Sequence, residues 1–127
     1  MDRGGGLELA GRLLIAGFFV VAGASNLTRA RIQDHIERAA RFKTPYPTFV
    51  FWAGIVLQFA SCALVLAGWH ADLGVVGLIV FTVLATAIYH RFWQMDDPVK
   101  RNVSRLALLN NVAIVGGLLL LLAATQR

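Results

Sequence analysis

The sequence predicts an all-α integral membrane protein, a four-helix transmembrane bundle with an amphipathic interfacial helix between spans one and two. Three observations carry that prediction. Hydrophobic residues make up 57% of the 127 positions and charged residues only 15%, whereas soluble domains are about a quarter charged. The apolar residues fall in long runs rather than in alternating or 3.6-residue patterns, and runs approaching ~20 residues match the ~30 Å of hydrocarbon that a helix must cross. The polar residues collect in a few connections between those runs. The length suits one membrane domain over residues 1–127.

Span one is expected at about Leu7 to Leu27. Its uninterrupted apolar stretch, Leu13 to Ala24, is short, so Glu8 and Arg12 belong near one interface, with Arg12 snorkelling. The N-terminus lacks a positive cluster, so this run reads as a retained span and not as a signal peptide. Residues Thr28 to Lys43 differ in kind. Ile32, Ile36, Ala39, Ala40 and Phe42 fall near one helical stripe, while Arg29, Arg31, Arg38, Arg41 and Lys43 take most of the rest. Thr28 can cap the start, and the whole reads as a helix lying in the headgroup plane. The Pro45-Tyr46-Pro47 segment breaks it.

Span two is expected at about Phe49 to Gly68, with Tyr46 and Trp52 as interfacial aromatics. Gln58 lies ~14 Å along it, near the midplane, where an amide usually ties helices together. Its single cysteine, Cys62, reads as a small packing residue. The turn from Trp69 to Asp72 is short enough to make spans two and three antiparallel neighbours. Span three, about Leu73 to Tyr89, carries Thr82 and Thr86, which share one face with His90 and Trp93 just beyond it. Threonine hydroxyls in a helix can bond to the preceding turn, so that stripe need not reach a ligand. Span four, about Leu106 to Ala124, has Asn110 and Asn111 near its start. Ala113 with Gly117, and Ala63 with Ala67 on span two, form small-residue faces that allow close helix approach or a homo-oligomer.

Charge sets the expected orientation. The two long connections hold nine of the twelve basic residues and four acids, a local net of +5, while the opposite side sums to zero. The positive-inside rule then puts both long connections in the cytoplasm and both termini outside. The overall charge of +5 therefore reads as topology and lipid contact, with no nucleic acid implied.

Several chemistries lack their residues. His70 and His90 stand at opposite ends of span three, ~30 Å apart, and cannot share an ion, so no metal is expected. No carboxylate lies deep in a span, as proton-coupled transport normally requires. There is no nucleophile–base arrangement and no phosphate loop. What remains is a polar set in one half of the bundle: Asn26, Gln58, Thr86, His90, Trp93 and Asn111. Donors and acceptors beside an aromatic ring in an apolar cavity suit a quinone or another lipid-soluble head group. The same groups can instead satisfy one another between helices, and both readings stay open.

Gly11-Arg12-Leu13-Leu14 opens span one, and Gly23, Ser25 and Leu27 close it. His90-Arg91-Phe92-Trp93 ends span three. Asn111-Val112-Ala113-Ile114-Val115-Gly116-Gly117-Leu118 runs into span four. In that order and spacing, over roughly residues 11–124, the chain resembles the DoxX family of small four-span bacterial membrane proteins. The resemblance implies a helical bundle in the bacterial cytoplasmic (inner) membrane and a redox context. Relatives include the small subunit type of thiosulfate:quinone oxidoreductase, and others are thought to partner soluble redox or sulfur-handling proteins. Two positions depart from the family pattern: Asn26 stands where a Lys is common, and Gln58 where a Glu is common. An Asn/Gln pair only hydrogen-bonds, so proton-coupled quinone chemistry by this chain alone is not expected.

Together these readings favour a quinone-associated subunit of a membrane oxidoreductase over an independent enzyme. No side chain here carries electrons without a cofactor or partner. The alternatives are a non-catalytic scaffold recruiting a soluble partner through its basic cytoplasmic face, and a small lipid or solute transporter.

Overall fold

The computed structural model describes residues 5–89, 93 and 95–126. Five helices follow one another: α1 (Gly5–Ser25), α2 (Arg29–Arg41), α3 (Pro47–Ala67), α4 (Ala71–Tyr89) and α5 (Pro98–Thr125), with no strand among the described residues. Four of them, α1, α3, α4 and α5, are long and apolar enough to cross a membrane, and they correspond to the four expected spans. The all-α membrane bundle predicted from composition is the fold observed.

The helix limits follow local chemistry. Thr28 caps α2, its Oγ1 accepting from the Arg31 N–H at 3.3 Å. After α2, Lys43 and Tyr46 adopt left-handed backbone angles (φ 61° and 48°), and Pro47 opens α3, a position where its missing N–H costs nothing. Gly68 ends α3 at φ 71° and donates its N–H to the Leu64 carbonyl at 3.1 Å. That left-handed C-cap is a position glycine fills without a steric penalty. The largest difference from expectation is at α5, which starts about two turns before Leu106. Asp97 accepts from the Val99 N–H at 2.9 Å and Pro98 follows as the first helical residue. The 28-residue helix is therefore ~42 Å long, and its first turns, with Lys100, Arg101 and Arg105, extend the helix beyond its apolar stretch.

α3 is the central element, touching α1, α2 and α4; α5 packs on α4 and more lightly on α1. The core joins Ala16 and Phe19 of α1, Cys62 and Val65 of α3, Val75 and Leu78 of α4, and Leu118 and Leu121 of α5. The tightest seam is α3 against α4, and α4's glycines make it possible. A Cβ at Gly74 would stand 2.7 Å from the Ser61 carbonyl oxygen and 2.8 Å from Val65 Cγ2. Of the small-residue faces noted in the sequence, Ala63, Ala67 and Ala113 are exposed, and Gly117 faces Ile15 of α1 across ordinary contact distance. Leu14, Val21, Val56 and Leu120 belong to a wide exposed apolar surface, which matches a lipid surround far better than water.

α2 does not lie apart from the bundle. Ala39 is completely buried and α2 rests on α3 and α4. Its apolar stripe covers the end of the bundle where α3 begins and α4 finishes, and Arg29, Arg31 and Arg41 are exposed on it, with Lys43 exposed just beyond.

Candidate functional site

Two side chains of α3 reach carbonyl oxygens of α1. Gln58 Nε2 donates to the Phe19 carbonyl at 2.7 Å, and one turn along Cys62 Sγ approaches the Ala16 carbonyl at 3.8 Å. Gly23 makes room for the amide, since a Cβ there would lie 3.0 Å from Gln58 Nε2 and 2.9 Å from Phe59 Cζ. A backbone carbonyl has two lone pairs, so Phe19 accepts from Gln58 without giving up its helical partner.

Between this tie and α2 the helices form a half-open cavity of about 410 Å³, within the range of small-molecule sites. Phe19, Phe51, Ile55 and Phe81 supply much of its apolar wall, and Asn26, Gln58, Thr82, Tyr89 and Asn111 its polar points. Phe19 and Phe81 meet edge to face at 6.2 Å. The end under α2 is closed by His35, whose ring lies 5.1 Å from Tyr89 and 5.7 Å from Phe51. His35 is held in place by its Nδ1, which donates to the Arg31 carbonyl at 2.8 Å.

Most polar groups around the cavity are spent internally. Thr82 Oγ1 donates to the Leu78 carbonyl at 2.8 Å, and Thr86 Oγ1 donates to the Thr82 carbonyl at 2.7 Å. Asn111 Nδ2 donates to Thr86 Oγ1 at 2.8 Å, docking α5 on α4. Of the four buried side-chain polar atoms without a partner among the described residues, two belong to residues lining the cavity, Gln58 Oε1 and the Tyr89 hydroxyl; the others are Arg12 Nε and Thr44 Oγ1. A buried polar atom without a partner costs about 1–3 kcal/mol, so a polar ligand that reached either atom would gain by partnering it.

Of the six residues singled out in the sequence, Asn26, Gln58 and Asn111 line the cavity. Thr86 stands behind its wall as the partner of Asn111. Trp93 is exposed and stands outside the lining. His90 lies outside the described residues. His35, Phe51 and Tyr89 were missed. The signal for His35 was present, because Ile32, His35, Ile36 and Ala39 form one helical face. A second, polar cleft of about 470 Å³ lies where α2 faces the start of α5. Its walls hold Arg38, Arg41 and Lys100 alongside Asp34, Asp96 and Asp97, with Arg38 and Asp34 paired at 2.8 Å, so among the described residues it has no excess of either sign. Among the described residues no group of three His, Cys, Asp or Glu side chains is placed to hold a metal ion.

Neither curated proteins nor solved structures give a match to this chain. Protein-family models do. The DoxX model matches residues 7–91, two thirds of the chain, from α1 through the whole of α4 and so across every wall of the cavity except α5. The Asn111 to Leu118 motif falls beyond the matched part. On that match, and with the four-span helical architecture it accompanies, the chain belongs to the DoxX family.

Proposed function

We propose that the cavity takes the head group of a membrane-soluble quinone, and that the protein serves as the quinone-associated subunit of a membrane redox assembly. The electrons would come from a partner, a soluble redox or sulfur-handling protein meeting the basic end. The observation that carries the reading is the combination in one cavity of aromatic and aliphatic walls with a buried, unpartnered amide oxygen at Gln58. A flat ring needs the first, and its oxygens need polar groups beside it: the Tyr89 hydroxyl can donate to a carbonyl oxygen, and the Gln58 amide oxygen can accept from a ring hydroxyl of the reduced form. The residues proposed to contact the ligand are Gln58, Asn111, Asn26 and Tyr89, with Thr86 positioning Asn111.

The test is mass spectrometry of lipid extracts from protein purified in mild detergent. Stoichiometric quinone with the unaltered protein, and its loss in Ala85→Phe, which fills the cavity, are expected. A folded protein that carries no quinone, and takes none up when supplied, would sink the reading.

The basic face of α2 supports a second reading, a scaffold that recruits a soluble partner. Arg29, Arg31 and Arg41 are exposed on a helix that is anchored on the bundle, with Lys43 exposed just beyond its end, so the charge is presented rigidly. Capture of a partner that survives Arg31→Glu with Arg41→Glu would exclude this version. Both readings use the same proposed orientation, in the bacterial inner membrane with the basic end in the cytoplasm and both termini outside. A reporter fused at Arg127 that behaved as cytoplasmic would reverse it.

A further inference from the structure

The head-group reading leaves open which redox form of the ligand the cavity holds. Two amide side chains in its wall answer this by the direction in which each is turned. Gln58 is 1% exposed, and its Nε2 faces the Phe19 carbonyl at 2.7 Å. A carbonyl oxygen accepts and cannot donate, so this contact fixes the amide with its nitrogen toward α1. The nitrogen is also packed beside Gly23, where a Cβ would come within 3.0 Å of it. The end left over is Oε1, buried and without a partner among the described residues.

Asn111 is turned the same way by a longer chain. The Thr86 hydroxyl has given its hydrogen to the Thr82 carbonyl at 2.7 Å. Thr86 Oγ1 can therefore only accept, and it does so from Asn111 Nδ2 at 2.8 Å. Both amides commit their nitrogens to neighbouring helices. Both keep an oxygen as the uncommitted end, and both line the cavity. The Tyr89 hydroxyl can donate or accept and does not discriminate.

Amide oxygens only accept. A quinone presents carbonyl oxygens, which also only accept, and would set oxygen against oxygen at Gln58. A quinol presents two ring hydroxyls, each able to donate. Resting on the head-group reading above, we infer that the site is selective for the reduced quinol over the quinone, with Gln58 Oε1 accepting a hydrogen bond from one ring hydroxyl.

The experiment uses the full chain in lipid nanodiscs under anaerobic conditions. A decyl-substituted benzoquinone, and the same compound reduced to its quinol, are titrated separately while tryptophan fluorescence is followed. The unaltered protein should bind the quinol about tenfold more tightly, the scale set by one buried acceptor satisfied or left bare. Because the reduced form is the one stabilised, the midpoint of the bound two-electron couple should rise by about 30 mV for that tenfold ratio. Gln58→Met removes the acceptor and should bring the two affinities to within about twofold of each other while quinone binding persists. Gly23→Ala approaches the same point differently, by displacing the amide from α1, and should also lower the ratio. Equal affinities, or tighter quinone, in the unaltered protein would overturn the preference and leave the head-group reading standing. An unchanged ratio in folded Gln58→Met would overturn the role of Oε1. Binding of neither form would overturn the head-group reading itself.

Discussion

Gln58 shows how one side chain can be nearly neutral for stability yet decisive for binding. Its Nε2 bond to Phe19 stabilises the α1–α3 contact, and its bare Oε1 works against burial. Gln58→Met removes both, so thermal unfolding in detergent should change by less than about 1 kcal/mol. Asn111 differs, because its bond to Thr86 is not offset by a fully buried unpartnered atom. Asn111→Leu and Thr86→Val should each destabilise, and their double-mutant cycle should give a coupling of ~0.6 kcal/mol, the scale of interhelical hydrogen bonds in membranes. Zero coupling would mean that the 2.8 Å contact contributes nothing. The sequence already marked Gln58 and Asn111 as polar residues in apolar surroundings. It did not say which end of each amide would be free. That depends on the register of α1 on α3 and of α5 on α4, and one-residue differences in register leave composition unchanged.

At the level of the helix, α2 and the α3–α4 seam are only partly legible in the sequence. In α2 the density of arginine marks an amphipathic helix at the interface, without saying how much of its apolar stripe meets protein. Ala39 at zero exposure and His35 against Tyr89 show that the stripe meets protein. His35→Ala should open that end of the cavity, so that a thiol introduced as Thr82→Cys reacts faster with a small maleimide; an unchanged rate would show that His35 does not close it. In the seam, the four-residue spacings of Ala63 with Ala67 and Ala113 with Gly117 drew attention, while Gly74 and Gly77, three apart, carry the close approach. Helix faces recur at both three and four residues, and the spacing alone does not say which face meets a neighbour. Gly74→Ala puts a methyl group against the Ser61 carbonyl, a backbone atom that cannot swing away, and should destabilise by about 1–3 kcal/mol. Gly117→Ala, whose Cβ would meet Ile15 at 3.8 Å, should be neutral or slightly stabilising. Unfolding midpoints of the two variants side by side separate packing from a general dislike of alanine.

For the whole molecule, the number, order and approximate length of the spans were legible, because each depends only on how much apolar chain lies in a row. Which helices touch was not, apart from α3 and α4, whose short turn leaves them no choice. α5 adds a difference of length. At ~42 Å it exceeds ~30 Å of hydrocarbon, and its charged first turns should stand in water as a continuous helix. In sealed vesicles with the basic end exposed, a cysteine at Lys100 should react readily with a water-soluble maleimide. One at Leu109 should react at least about tenfold more slowly; the native Cys62 is buried and adds little background. Equal rates would place the membrane boundary elsewhere.

The Gln58–Phe19 bond also makes α1 sensitive to what occupies the space beside it. Any guest that brings its own acceptor competes with the Phe19 carbonyl for the same N–H, and each success loosens one of the two side-chain-to-carbonyl contacts that join α3 to α1 among the described residues. A guest that brings a donor leaves that grip intact. A change in the spacing of α1 and α3 on ligand binding would therefore report whether the occupant brings a donor or an acceptor.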